Sequence, residues 1–237
     1  MKTKGIIFDK DGTLIDFDSF WTEIAYGAVN RIVQKTGSSA PEKEVLHAIG
    51  VSGGITDVDG VLCKGTYGEI SQVIYGVLVK YGCKLTLEEI TQISVEAFHE
   101  NADKGVVKEP CKDLRGVLNA IKEKGVKIAV VTADDSFVTD KCLKALKIDG
   151  LFDVIYTDDG THPNKPDPFC INDFCKKFGL KKEETVMVGD SLTDVEFAKN
   201  GGIKSIGVAK GEKNKAFLTG KADVVLPDVS YVLGEIE

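Results

Sequence analysis

This chain of 237 residues predicts an α/β fold: a doubly wound, mostly parallel, Rossmann-like sheet with an all-helical domain inserted after its first strand. Three observations carry that reading. Short runs of apolar, often β-branched residues end abruptly in Asp, Thr or Gly, the pattern of buried parallel strands whose carboxyl ends open into a crevice. From about residue 105 onward these runs alternate with helical periodicity. Between residues 15 and 105 the periodicity is helical throughout, with no convincing strand.

The first strand, Gly5-Ile6-Ile7-Phe8, runs straight into Asp9-Lys10-Asp11-Gly12-Thr13. Two partly buried acids two residues apart repel each other, and the arrangement is costly unless a cation or a shared proton neutralises them. A bound divalent metal answers that cost. A plain polar turn explains the same spelling, because Asp and Gly are ordinary turn residues. Against the plain turn stands a second acidic cluster placed in the same way, where Thr185-Val186-Met187-Val188-Gly189 leads into Asp190-Ser191-Leu192-Thr193-Asp194.

After Leu14 the period changes from strand to helix. Phe17, Trp21, Ile24, Ala28 and Ile32 recur at helical spacing, and the stripe ends near Gly37. Ile70, Val73, Ile74, Val77, Leu78 and Tyr81 form a second apolar face, and Thr86 with Glu89 offers a capping box for a helix carrying Leu87, Ile90 and Phe98. Residues 15–105 therefore read as a helical cap, and 1–14 with 106–237 as the core. Inside the cap, Asp57-Val58-Asp59-Gly60 repeats the acidic spelling of the first strand's end. Its approach, Gly53-Gly54-Ile55-Thr56, is not a buried strand, so a cap loop is expected there. Lys64 and Thr66 just behind it are candidate substrate contacts, with a solvated loop as the alternative.

In the core, Leu114, Val117, Leu118 and Ile121 make a helix ahead of the strand 126–131, which terminates at Thr132-Ala133-Asp134. The Thr132 hydroxyl and the backbone N–H of Ala133 suit an anion. A further strand over 152–156 leads into an irregular segment, 157–168, that carries Lys165 between Asn164 and Pro166. Taken singly, a Thr after a strand is a helix cap and a Lys before Pro a solvated residue. Their shared place after successive strands points instead to a phosphate site.

A metal held by these oxygen ligands would be hard, octahedral and water-bearing, which favours Mg²⁺ over zinc, and no His or Cys cluster competes for the role. With a metal, a lysine and N–H groups around a phosphoryl group, Asp9 fits a nucleophile that forms an aspartyl-phosphate. Asp11 fits the acid/base. The four segments resemble the four motifs of the haloacid dehalogenase superfamily, in its phosphatase branch: Asp9-Lys10-Asp11-Gly12-Thr13, Thr132, Lys165 in Asn164-Lys165-Pro166, and Gly189-Asp190-Ser191-Leu192-Thr193-Asp194. The resemblance implies Asp9 as nucleophile and metal ligand, Asp11 as acid/base and metal ligand through its backbone carbonyl, and Asp190 as a direct metal ligand. Asp194 and Ser191 would support the site, and Thr132, Ala133 and Lys165 would hold the phosphoryl group. The superfamily places a helical cap at this point in its phosphoglycolate-phosphatase-like members, where it closes over the site and selects the substrate.

The implied activity is Mg²⁺-dependent hydrolysis of a small phosphate ester. A β-phosphoglucomutase-like phosphotransferase shares the motifs and the cap. A phosphonate-cleaving enzyme would need a cap lysine able to form a Schiff base, and a non-catalytic binding protein on the same fold is the reading from outside enzymology. A net charge of −7, from thirty basic and thirty-seven acidic residues, argues against nucleic acid or an anionic membrane as partner. No signal-peptide core or membrane-length apolar stretch is found, so a cytoplasmic location is expected. The six cysteines, with no Cys-x-x-Cys pair, are expected to be free thiols. The scattered His47, His99 and His162 read as surface or packing residues, His162 alone lying close to Lys165 in sequence. Oligomeric state is not legible.

Overall fold

The computed structural model of the protein describes residues 2–57 and 60–236. In chain order the elements begin with β1 (Gly5–Phe8), then α1 (Phe17–Thr36), α2 (Glu42–Ala48), a hairpin of β2 (Val51–Ser52) and β3 (Ile55–Thr56), the single turn α3 (Val61–Lys64), α4 (Tyr67–Lys80) and α5 (Leu87–Asn101). There follow α6 (Leu114–Glu123), β4 (Lys127–Val131), α7 (Ser136–Ala145), β5 (Val154–Tyr156) and α8 (Phe169–Phe178). The chain continues through β6 (Thr185–Gly189), α9 (Leu192–Gly201), β7 (Lys204–Val208), α10 (Gly211–Leu218) and β8 (Val224–Leu226). Two compact units result: residues up to Asp16 with those from Lys108 onward, and Phe17–Val107.

The first unit is a six-stranded sheet in the order β5-β4-β1-β6-β7-β8, every neighbouring pair parallel. The central strands are mostly apolar because both of their faces are covered. On β1, Ile6 and Phe8 enter one core layer with Leu114, Leu118 and Ile121 of α6, while Ile7 enters the other with Phe174 of α8 and Phe197 of α9. Each such fully buried side chain contributes roughly 1.5–3 kcal/mol of transfer free energy. The chain passes from β1 to β4 and β5 on one side, then returns to β6 on the other, so the strand order reverses beside β1. Ligands of open α/β sheets bind at the carboxyl ends beside such a reversal. Phe8, the last residue of β1, is level with Val130 on β4 and Val188 on β6, each one residue short of its strand's end, which brings the carboxyl ends of all three strands to within a residue of one height.

Strand β5 is shorter than the 152–156 expected from the residue pattern, because it starts late, at Val154. Just ahead of it the Asp153 carboxylate accepts the Ile128 N–H at 2.9 Å and the Lys127 ammonium at 2.9 Å, in place of a further apolar rung.

In the second unit α1 packs on α5, with Trp21 and Phe98 edge to face at 6.1 Å and Tyr67 of α4 against Phe98 at 5.7 Å. The capping box expected at Thr86 and Glu89 is present, the Glu89 N–H donating to Thr86 Oγ1 at 3.2 Å and the Thr86 N–H to Glu89 Oε2 at 2.7 Å. One expectation is corrected: the insert is not wholly helical. Gly53 and Gly54 both take positive φ, 59° and 81°, the backbone of a two-residue hairpin turn, and pair β2 with β3. With two residues per strand and Ile55 68% exposed, the pair leaves no alternating pattern for sequence reading to find. Asp57 follows β3, and Val58 and Asp59 of the repeated acidic spelling lie outside the described residues. All six cysteines are free thiols. Among the described residues no helix is long and apolar enough to cross a membrane.

Candidate active site

Asp9 is the residue at which β1 ends, its N–H still donating to the Val188 carbonyl of β6 at 2.9 Å, so its direction is set by the central ladder of the sheet. Its carboxylate is buried, and Lys165 Nζ lies 2.5 Å from Oδ1. The same ammonium lies 2.7 Å from Asp194 Oδ1. Asp9, Asp190 and Asp194 each place a carboxylate oxygen within 4.8 Å of the others. Residues remote in sequence thus meet at the carboxyl ends of β1 and β6.

The electrostatics of this group are those of acids short of positive charge. Burial pushes Asp9 up to about 7, against the pull of Lys165 and with the repulsion of Asp194 and Asp11 added. Asp190 is raised well above the usual carboxylate range, by burial first and then by Asp9 and Asp194. Burial works to lower Lys165, but the Asp194 and Asp9 carboxylates hold its ammonium above its ordinary value. One lysine cannot neutralise three carboxylates, and an all-oxygen donor set of this charge suits a hard divalent cation such as Mg²⁺.

Gly12 is fixed by the same crowding. Its φ is +79°, and a Cβ built there would fall 2.1 Å from Asp190 Oδ2. The turn after β1 therefore lets the backbone approach Asp190 only with glycine at this position.

Asp11 stands apart from the three-carboxylate group. Its Oδ2 lies 2.6 Å from Lys10 Nζ, which also lies 2.7 Å from Asp134 Oδ2. It is near enough to add to the repulsion felt by Asp9 and Asp190. Sequence reading places Asp194 and Ser191 in support of the site. The structure sets Asp194 in direct contact with Lys165, as residue N3 of α9, and Ser191 behind it as the N-cap. Ser191 donates through Oγ at 2.6 Å and through its N–H at 3.1 Å to Asp194 Oδ2.

Thr132 is buried at the end of β4, its N–H bonded to the Tyr156 carbonyl at 3.1 Å and its Oγ1 accepting the Asp134 N–H at 3.2 Å. Ala133 follows it, half-buried, in the loop ahead of α7. His162 is packed between Tyr156 and Phe169, stacked on Phe169 at 5.8 Å, with Nδ1 3.1 Å from the Pro163 carbonyl. It is a packing residue, as expected.

The two cap candidates are placed in the second unit. Lys64 ends α3. Thr66 is the N-cap of α4: its Oγ1 accepts the Glu69 N–H at 3.3 Å and donates to Glu69 Oε2 at 3.2 Å. The hydroxyl suggested as a substrate contact is engaged in a capping box. Sequence reading missed Lys10 and Asp134 altogether, because a lysine between two acids reads as a solvated residue.

The profile of the haloacid dehalogenase-like hydrolases matches residues 6–208, most of the chain. The chain belongs to that family. A relative of this hydrolase, pyrophosphatase PpaX from Bacillus mycoides, is 27% identical over 234 residues, spanning 98% of this chain and 96% of that protein. Among solved structures, a predicted phosphoglycolate phosphatase from Haemophilus somnus aligns with a TM-score of 0.74 at 24% identity, covering 100% of this hydrolase and 99% of its counterpart. A Thermotoga maritima protein assigned as a β-phosphoglucomutase aligns with a TM-score of 0.69 at 24% identity, covering 99% and 100%. At that identity the two structures speak to the fold of this hydrolase, a parallel sheet flanked by helices.

Proposed function

We propose that this hydrolase is a Mg²⁺-dependent phosphatase acting on a small phosphorylated metabolite in the cytoplasm through a phosphoryl group carried on Asp9. The observation that carries the reading is the buried Asp9 carboxylate, 2.5 Å from Lys165 Nζ and gathered with Asp190 and Asp194 within 4.8 Å. A bare polar turn would have no reason to gather three acids, two of them buried, about one lysine.

Asp9, Asp190 and Asp194 are the residues that would hold the metal, with Asp11 adding its backbone carbonyl. When bound, Mg²⁺ would offset the charge of the phosphoryl oxygens and orient them. Lys165 would hold a phosphoryl oxygen, and the Thr132 hydroxyl with the Ala133 N–H would hold another. Asp9 attacks phosphorus from the end of a rigid central strand, so little reorganisation is needed. Asp11 gives a proton to the leaving oxygen, then accepts one from the water that hydrolyses the acyl-phosphate. The unit Phe17–Val107 would act as the cap that selects the substrate, Lys64 remaining a candidate contact within it.

The relative's pyrophosphatase activity favours a second substrate class, a phosphoanhydride, on the same chemistry. The test is phosphate release from an aryl phosphate, phosphoglycolate and pyrophosphate, with Mg²⁺ and after chelation. Glucose 1-phosphate, scored for glucose 6-phosphate rather than free phosphate, reports a mutase. Activity that survives exhaustive chelation, or Asp9→Asn retaining a tenth of the wild-type rate, refutes the proposal, because covalent catalysis contributes far more than tenfold.

A further inference from the structure

Lys10 is fully buried, and its position between two acids would ordinarily leave it in solvent. Its Nζ bridges Asp11 Oδ2 at 2.6 Å and Asp134 Oδ2 at 2.7 Å. Both ends of the bridge are held by backbone. The Lys10 carbonyl accepts the N–H groups of Leu14 at 2.8 Å and Ile15 at 3.0 Å, closing the turn after β1. Asp134 donates its N–H to Thr132 Oγ1 at 3.2 Å, and its carbonyl accepts the Asp158 N–H at 2.8 Å. One ammonium therefore joins the turn that carries Asp9 and Asp11 to the loop that carries Thr132. A buried charge persists only where partners compensate it, so the same ammonium dictates where the two carboxylates sit.

We propose that Lys10 is a positioning residue that fixes the Asp11 carboxylate against the Thr132 loop and offsets the charge Asp11 acquires when it releases its proton. The proposal rests on the phosphatase reading of the site. In the first half-reaction an Asp9 oxygen forms a bond to phosphorus and the bond from phosphorus to the ester oxygen breaks. The electron pair leaves on that oxygen, and the Asp11 proton passes to it, giving a neutral alcohol. Asp11 is left anionic beside a cation already in place, so its charge develops without rearrangement. Without Lys10, Asp11 and Asp134 would face each other with no cation between them, and Asp11 would lose its aim.

The consequence is selective, because a proton matters only to a leaving oxygen that needs one. Phenyl phosphate releases a basic phenolate; dinitrophenyl phosphate releases a stable anion. The experiment measures kcat/KM for both esters, with Mg²⁺, in the wild type, Lys10→Met and Lys10→Arg. The phenyl-to-dinitrophenyl ratio is independent of how much enzyme is folded. It is expected to fall by about fivefold or more in Lys10→Met and to recover in part in Lys10→Arg. A wild type active on both esters whose ratio is unmoved in Lys10→Met overturns the proposal alone. A wild type inert toward both overturns the phosphatase reading and the proposal with it. Should Lys10→Met fail to fold, Asp134→Asn decides: weakening the outer anchor must shift the ratio in the same direction by about threefold, and an unmoved ratio overturns the assignment.

Discussion

In the metal-free protein, replacing Asp9 by Asn is expected to remove a specific loss of stability at neutral and alkaline pH. Asp9 is 7% exposed and raised to about 7, against roughly 3.9 for an unfolded aspartate. A raised folded value means that the native state holds the proton more tightly than the unfolded chain. The stability so gained is complete below about pH 4 and is lost as pH rises through 7. The full shift of about three units corresponds to about 4 kcal/mol at 1.36 kcal/mol per unit. Between pH 5 and pH 8 the two-state expression gives a loss of about 2.5 kcal/mol, which the Asn variant cannot show. Urea unfolding in EDTA, for both proteins at both pH values, measures it: the difference between variant and wild type should move by about 2.5 kcal/mol in favour of Asn. Saturating Mg²⁺ at pH 8 should restore the wild type by binding the native state alone. Parallel stability profiles in EDTA, agreeing within about 0.5 kcal/mol, would refute the account of Asp9 as an uncompensated buried acid.

Gly12→Ala should lower stability by about 2 kcal/mol and phosphate release by about a hundredfold, because φ is +79° and the new Cβ meets Asp190; urea midpoints with a turnover assay check both. Lys165→Met should cut kcat by a hundredfold or more and lower the EDTA melting temperature at pH 8, leaving Asp9 and Asp194 without their shared cation. Thr66→Ala should cost about 1 kcal/mol through its capping box while kcat/KM stays within about twofold. A tenfold loss of kcat/KM at unchanged stability would instead return Thr66 to the substrate contacts.

Asp9, Thr132 and Asp190 are legible in the sequence for one physical reason: a polar residue directly after an apolar strand stands where that strand leaves the core; Lys165, in the irregular segment beyond β5, is not placed by that rule. The parallel sheet then does the gathering, since β4, β1 and β6 are neighbours with Phe8, Val130 and Val188 at one level. Asp194 is legible as an acid four residues beyond Asp190 but not as a contact of Lys165, because the first turn of α9 decides where its carboxylate points. Lys10 gives no local sign of burial. Its outer partner, Asp134, belongs to a different strand's loop, and only the assembled sheet brings the two together. Thr66 is also written in the local spacing, as the N-cap whose capping box pairs it with Glu69. The hairpin at Gly53 and Gly54 escapes because two-residue strands are too short to show a period.

The placement of β1 has a consequence for biosynthesis. Gly5–Phe8 leaves the ribosome well before its sheet partners, which begin only at Lys127 and Thr185. Residues 17–107, a compact body by contact, are made in between. The nascent Ile6-Ile7-Phe8 segment must therefore wait, unpaired and sticky, while that body collapses ahead of it. The interval before Lys127 and Thr185 emerge is the one in which a chaperone would shield this segment, and slowing elongation there should favour aggregates over active enzyme.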